Sequence, residues 1–135
     1  MKSESIRRFR LSESFIENYI NKEVPWGPLG YVTFKRTYAR RLSEFDPNAE
    51  GTEEWYQTCR RVIEGMFDMQ KKHVVLNGLP WYDAKAQKTA KDAYSRLFHL
   101  KWTPPGRGLW MMGTKFIEEK TGAGIFNCAF RSTED

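Results

Sequence analysis

One hydrophobic stripe constrains this chain more than any other feature: Trp55, Cys59, Val62, Ile63, Met66 and Phe67 recur at spacings of three and four. Only an α-helix puts such positions on one face. Thr52 is the expected N-cap, and Glu53 and Glu54 stand near the positive end of the helix dipole. Asn77-Gly78-Leu79-Pro80 is a turn cluster, after which Asp83 is expected to cap a second long helix. Its stripe is Ala86, Ala90, Ala93, Tyr94, Leu97 and Phe98, with Lys85, Lys88 and Lys91 off it. Upstream, Leu11-Ser12-Glu13-Ser14-Phe15-Ile16 reads as a helix entrance, with Ser12 as N-cap and Leu11 and Ile16 as a hydrophobic staple. Leu11, Phe15, Ile16, Tyr19 and Ile20 then share a face. Two prolines and two glycines between Pro25 and Gly30 end that helix, and a basic-aromatic stretch follows from Tyr31 to Leu42.

The texture changes near Pro104. Pro104-Pro105-Gly106-Arg107-Gly108 is expected to prevent helix, and Thr121-Gly122-Ala123-Gly124 interrupts again before the apolar run Ile125 to Phe130, a candidate strand. That strand has no visible hairpin partner, and an isolated strand is not stable in water, so the C-terminus reads as cut short. The fold class expected is mainly α: about three amphipathic helices over residues 1–102, then a glycine-rich lead into β structure over residues 103–135. A chain of 135 residues with 40% hydrophobic side chains supports one core and not two. A charged fraction of 29% mixed evenly with 15% aromatic side chains excludes wholesale disorder and collagen-like repetition. No apolar run reaches the ~20 residues of a membrane span, and no apolar segment follows the charged N-terminus, so a cytoplasmic address is expected.

Cys59 and Cys128 lie far apart, neither belongs to a C-x-x-C pair, and only His73 and His99 accompany them, so no metal site is expected. Gly108 to Lys115 nearly spells a phosphate-binding loop, but Thr114-Lys115 reverses the Lys-Ser/Thr order the chemistry needs. Gly106-x-Gly108 lacks the third glycine of a dinucleotide fingerprint. Lys35, Arg36, Arg40 and Arg41, interleaved with Tyr31, Phe34 and Tyr38, form the densest positive patch and suit a small basic helical nucleic-acid-binding module. A solvated helix face with its aromatic side packed inward explains the same residues and fits the modest net charge better. Cys59, on the apolar stripe, reads as a small core residue. In Phe126-Asn127-Cys128-Ala129-Phe130, strand alternation puts Cys128 with both phenylalanines, which by itself favours a packed thiol.

Leu29 to Arg41 (Leu-Gly-Tyr-Val-Thr-Phe-Lys-Arg-Thr-Tyr-Ala-Arg-Arg) resembles the N-terminal block of monomeric adenosylcobalamin-dependent ribonucleoside-triphosphate reductases. The later landmarks Arg61 to Gly65, Thr103 to Thr114, Thr121-Gly122 and Asn127-Cys128 are similar to that family's next signatures, in the same order. The resemblance covers nearly the whole chain but only the opening of a much longer enzyme. It implies a helical region leading into the first strand of a ten-stranded α/β barrel, incomplete here. It also implies a redox role for Cys128 as one half of the dithiol that reduces a ribonucleoside triphosphate. Asn127 would flank the substrate, while Thr103 and its turn together with Gly113 and Thr114 would shape the substrate-phosphate side. The implied cofactor is adenosylcobalamin, bound mainly by the remainder, and the implied partners are the remaining barrel and a thioredoxin-type reductant. The radical cysteine would lie beyond Asp135, so the chain would be inactive alone. Cys59 matches no family cysteine, and Ala129 departs from the larger residue expected after the Cys.

Overall fold

The apolar stripe after Thr52 does become a helix, and it organises everything else. In the computed structural model, which describes residues 6–115 and 117, the α-helices are α1 (Glu13–Glu17), α2 (Pro28–Thr37), α3 (Trp55–Leu76), α4 (Asp83–Phe98) and α5 (Gly106–Met111). A short 3-10 turn occupies Leu42–Glu44. The described residues contain no named strand, only one antiparallel bridge between Arg41 and Thr52. The candidate strand Ile125 to Phe130 lies outside the described residues.

α3 and α4 form an antiparallel hairpin. The indole N–H of Trp55, at the start of α3, donates to the carbonyl of Phe98 at the end of α4 (3.0 Å), and the Tyr94 hydroxyl donates to the Tyr56 carbonyl (2.9 Å). Both bonds satisfy polar tips inside an otherwise apolar contact, so the aromatic bodies are buried without an orphaned donor. Trp55, Cys59, Val62, Ile63 and Phe67 meet Ala90, Tyr94, Leu97 and Phe98, all buried, with Met66, Ala86 and Ala93 partly so. Tyr19 closes one end edge-on against Tyr94 and Phe98, both at 4.9 Å between centroids. Trp26, just before α2, and Phe34 within it pack on Trp55 at 4.9 and 5.3 Å.

Several local expectations are corrected. α3 is capped by Glu54 and not Thr52: the Glu54 carboxylate and Gln57 side chain exchange bonds with each other's backbone N–H in a capping box. Asp83 is the first residue of α4 and not its cap; Tyr82 stands at the N-cap position without a side-chain capping bond. Ser12 does cap α1, accepting from Phe15 N–H at 3.4 Å, but α1 ends at Glu17 and Ile20 is exposed, because the helical phase that would have buried it stops three residues earlier. The prolines act as starts and not as stops. Pro28 opens α2 and Pro105 is the N-cap of α5, positions whose backbone N–H has no helical partner to lose, so Pro104-Pro105 launches a helix where it was expected to forbid one. Together these short elements raise the helix number above the expected three.

Candidate functional site

α3 has a second inward face, next to its apolar one, and it is charged. Glu53, Arg61, Glu64 and Asp68 are all buried. Burying a charge is costly unless it is paired and hydrogen-bonded, and each of these is. The carboxylates of Glu64 and Asp68 accept from the backbone N–H groups of Leu11 (2.9 Å) and Phe9 (3.0 Å). They thereby supply acceptors to a segment that has no helix or sheet of its own, and this allows Phe9 and Leu11 to be buried. Arg10 and Arg60 complete the shell of Glu64 at 3.2 Å each, and Lys72 pairs with Asp68 at 3.0 Å. Arg60 also bonds the exposed Glu13, which pushes that carboxyl below the usual carboxylate range and raises the guanidinium further.

Arg61 is the most connected of these groups. Its Nε donates to Glu53 Oε2 at 2.9 Å and its Nη2 to Glu53 Oε1 at 3.0 Å. On its other edge Nη2 donates to the Leu109 carbonyl (2.7 Å), and Nη1 donates to the carbonyls of Met112 (2.6 Å) and Trp110 (3.4 Å). Glu53 Oε1 accepts in addition from Arg40 N–H (2.9 Å) and the Thr58 hydroxyl (3.1 Å). The guanidinium therefore caps the C-terminal end of α5, where unpaired carbonyls and the negative end of the helix dipole both favour a cation.

One turn further along α3, backbone meets backbone. A Cβ on Gly65 would stand 2.7 Å from both N and Cα of Gly113. Gly113 itself has φ +78°, and a Cβ there would come within 2.5 Å of the Arg61 carbonyl. Both positions are thus restricted to glycine, one by space and the other by conformation and space together. The next residue, Thr114, is buried and donates its hydroxyl back to the Met111 carbonyl at 2.6 Å.

Gly113, Thr114 and Lys115 line an open groove of about 980 Å³. Its lining also draws on α3, on the segment from Arg8 to Ile20 and on the loop from Arg40 to Pro47. Of the substrate-side residues expected from the sequence, Gly113 and Thr114 are brought to this groove. Thr103 is exposed and does not line it. Asn127 and Cys128 lie outside the described residues. Cys59 is fully buried in the core, and burial pushes its thiol pKa well up, so it is neutral and shielded. Two of the four residues of the basic patch, Lys35 and Arg40, are committed within the molecule, while Arg36 and Arg41 are exposed. Lys35 Nζ donates to the carbonyls of Thr52 and Glu53 and to Glu54, while Arg40 pairs with Glu44 at 2.6 Å and lies over the Trp110 ring at 4.4 Å. Such ties compete with phosphate contacts and do not favour the nucleic-acid reading. Sequence reasoning missed the Arg61–Glu53 clamp, although Arg61 and Gly65 sit four apart on a helix and so share one face, a signal present in the residues themselves.

A family model for the ribonucleotide reductase alpha domain matches residues 11–114, a span running from Leu11 to the Gly113–Thr114 turn. The chain belongs to the ribonucleotide reductase alpha-domain family. It is 41% identical over 135 residues to a probable adenosylcobalamin-dependent ribonucleoside-triphosphate reductase of Dictyostelium discoideum, covering 98% of this chain and 17% of that protein. It is 40% identical to the adenosylcobalamin-dependent ribonucleoside-triphosphate reductase of Euglena gracilis, over 93% of this chain and 17% of that one. Among solved structures, that of a B12-dependent (class II) ribonucleotide reductase superposes with a TM-score of 0.72 at 34% identity, over 89% of this chain and 16% of that chain. The chain thus spans about a sixth of the reductases it matches, and its helical body corresponds to a helical part of that fold.

Proposed function

We propose that this chain is the N-terminal part of an adenosylcobalamin-dependent ribonucleoside-triphosphate reductase, working when joined to, or assembled with, the remaining barrel. The observation that carries this reading is that nearly the whole chain matches the relatives while they extend far beyond it. Residues 103–135 would be the lead into the barrel and its first strand. Cys128 would be one of two thiols that reduce the ribose. In the balanced step two thiols lose two electrons and two protons to form a disulfide, the carbon–oxygen bond of the substrate hydroxyl breaks, a carbon–hydrogen bond replaces it, and the oxygen leaves as water. A thioredoxin-type dithiol would then reopen the disulfide by exchange. Asn127 would flank the ribose, with Gly113 and Thr114 on the phosphate side. The exposed position of Thr103, away from the groove, lends no support to its substrate role.

Adenosylcobalamin carries its cobalt in its own corrin ring and so needs a binding surface rather than a set of metal-ligating side chains. Five of the groove's cations, Arg8, Arg10, Arg40, Arg60 and Arg61, are already paired with carboxylates and are not held ready for the phosphate of such a cofactor. In this proposal adenosylcobalamin is held mainly by the remainder of the enzyme.

The test is to produce the chain together with the remaining reductase portion and to measure adenosylcobalamin-dependent reduction of a ribonucleoside triphosphate. Activity is expected, and Cys128→Ser is expected to abolish multiple turnover with a thioredoxin-type reductant while substrate still binds. Undiminished turnover by that variant would reject the role of Cys128, and a folded assembly without any activity would reject the whole reading.

A further inference from the structure

The most connected group in the groove's lining is not a residue expected to touch substrate. It is the Arg61 clamp. Three observations converge on the turn it holds. The Arg61 guanidinium donates to the carbonyls of Leu109 and Met112, the latter immediately before Gly113. Glu53 fixes the opposite edge of the same guanidinium through two bonds, so its plane cannot swing. The Gly65 backbone abuts Gly113 so closely that a methyl group on Gly65 would have no room. The turn is therefore pinned to α3 by a rigid fork on one side and a backbone stop on the other, and Thr114, which follows directly, lines the groove.

We propose that Arg61, locked by Glu53, is a positioning residue that fixes the Gly113–Thr114 turn and thereby sets the enzyme's affinity for the triphosphate part of its substrate without touching it. This rests on the reading that the turn shapes the substrate-phosphate side. A structural salt bridge would only need to hold α5 on α3. The geometry does more, because three carbonyl contacts of one planar group fix both the distance and the tilt of the turn. Lysine keeps the charge but has no planar fork, so it can satisfy one or two of these acceptors and cannot fix their relative orientation. A small displacement of a binding turn weakens ground-state and transition-state binding alike, which appears in KM and not in kcat.

The experiment uses the assembled reductase with Arg61→Lys, Gly65→Ala and Thr114→Val, each checked for folding by its thermal transition. For folded Arg61→Lys, KM for the ribonucleoside triphosphate is expected to rise about tenfold while kcat falls by less, and inhibition by the corresponding nucleoside, which has no phosphates, is expected to stay unchanged. Gly65→Ala pushes the same turn from the other side and is expected to give the same signature, so it carries the test should Arg61→Lys fail to fold. A raised KM in Thr114→Val with normal KM in folded Arg61→Lys or folded Gly65→Ala would overturn the positioning role alone. Normal KM in all three variants would instead reject the phosphate-side reading, and the positioning role with it. Equal losses of triphosphate and nucleoside binding in Arg61→Lys would also overturn the proposal, since a merely structural role predicts that.

Discussion

The two inward faces of α3 are both buried and chemically opposite. Toward α4, Cys59, Val62 and Ile63 are fully excluded from solvent among aromatic rings. Toward the groove, Arg61, Glu64 and Asp68 are 5–8% exposed and each is held in an ion pair. The first face holds by area removed from water, a term without direction, which tolerates small shifts of α4. The second holds by direction: each carboxylate or guanidinium has its acceptors and donors at set distances, so it fixes the N-terminal segment and the Gly113–Thr114 turn in place. A helix that used only apolar contact would have a core, and this one has a core and a jig.

Removing charge from the groove side should break that contrast most sharply. Arg61→Ala leaves Glu53 buried without its cation and three carbonyls without their donor, and is expected to cost about 3–5 kcal/mol in urea unfolding. Leu97→Ala, a cavity on the apolar side, is expected to cost a similar ~2–5 kcal/mol, but to spare the turn. Hydrogen exchange separates them: amides from Leu109 to Thr114 should lose protection selectively in the first variant and only with global unfolding in the second. Equal behaviour would mean that the charged face is no more directional than the dry one.

A second comparison sharpens the first at the level of single glycines. Gly51 and Gly113 have nearly the same left-handed backbone, φ +84° and +78°, but a Cβ on Gly51 meets nothing within 4 Å while one on Gly113 meets the Arg61 carbonyl. Gly51→Ala should therefore cost only the conformational strain, about 1 kcal/mol, and Gly113→Ala more than twice that. Equal transition midpoints for the two variants would show that the turn moves freely away from α3.

The smallest expected effect is at the rim. Because Arg60 lowers the folded pKa of Glu13 below its ordinary value near 4.5, the pair contributes its stability in full above about pH 4.5 and loses it as pH falls through the lowered value. Glu13→Gln should flatten that part of the acid limb and cost about 0.5 kcal/mol or less at neutral pH, the worth of a solvent-screened pair. A larger loss would place this exposed pair among the directional contacts of the buried face.

Much of the helical body was legible before the structure. The stripes of α3 and α4 are periodic in the sequence, and periodic burial is a local property that neighbouring residues state jointly. The family could be read because several short blocks recur in a fixed order from Leu29 onward. Caps were less legible, since Thr52, Glu53 and Glu54 are all chemically suitable, and the choice fell to Glu54 only because Glu53 is taken by Arg61, Thr58 and the Arg40 amide. The helix after Pro105 was misread because proline removes a donor that the first turn of a helix does not use.

The chain's residues by themselves determined where the two long helices run, which of their faces are apolar and which family the blocks belong to, because these follow from spacing along a single segment. Only the tertiary structure decided that Arg61 is an interior clamp, that Lys35 and Arg40 are committed to internal partners, and that Gly65 abuts Gly113. Those facts depend on groups from 4 to 70 positions apart arriving at one place, and whether a charge is buried and satisfied is settled by its neighbours in space, which no periodicity encodes.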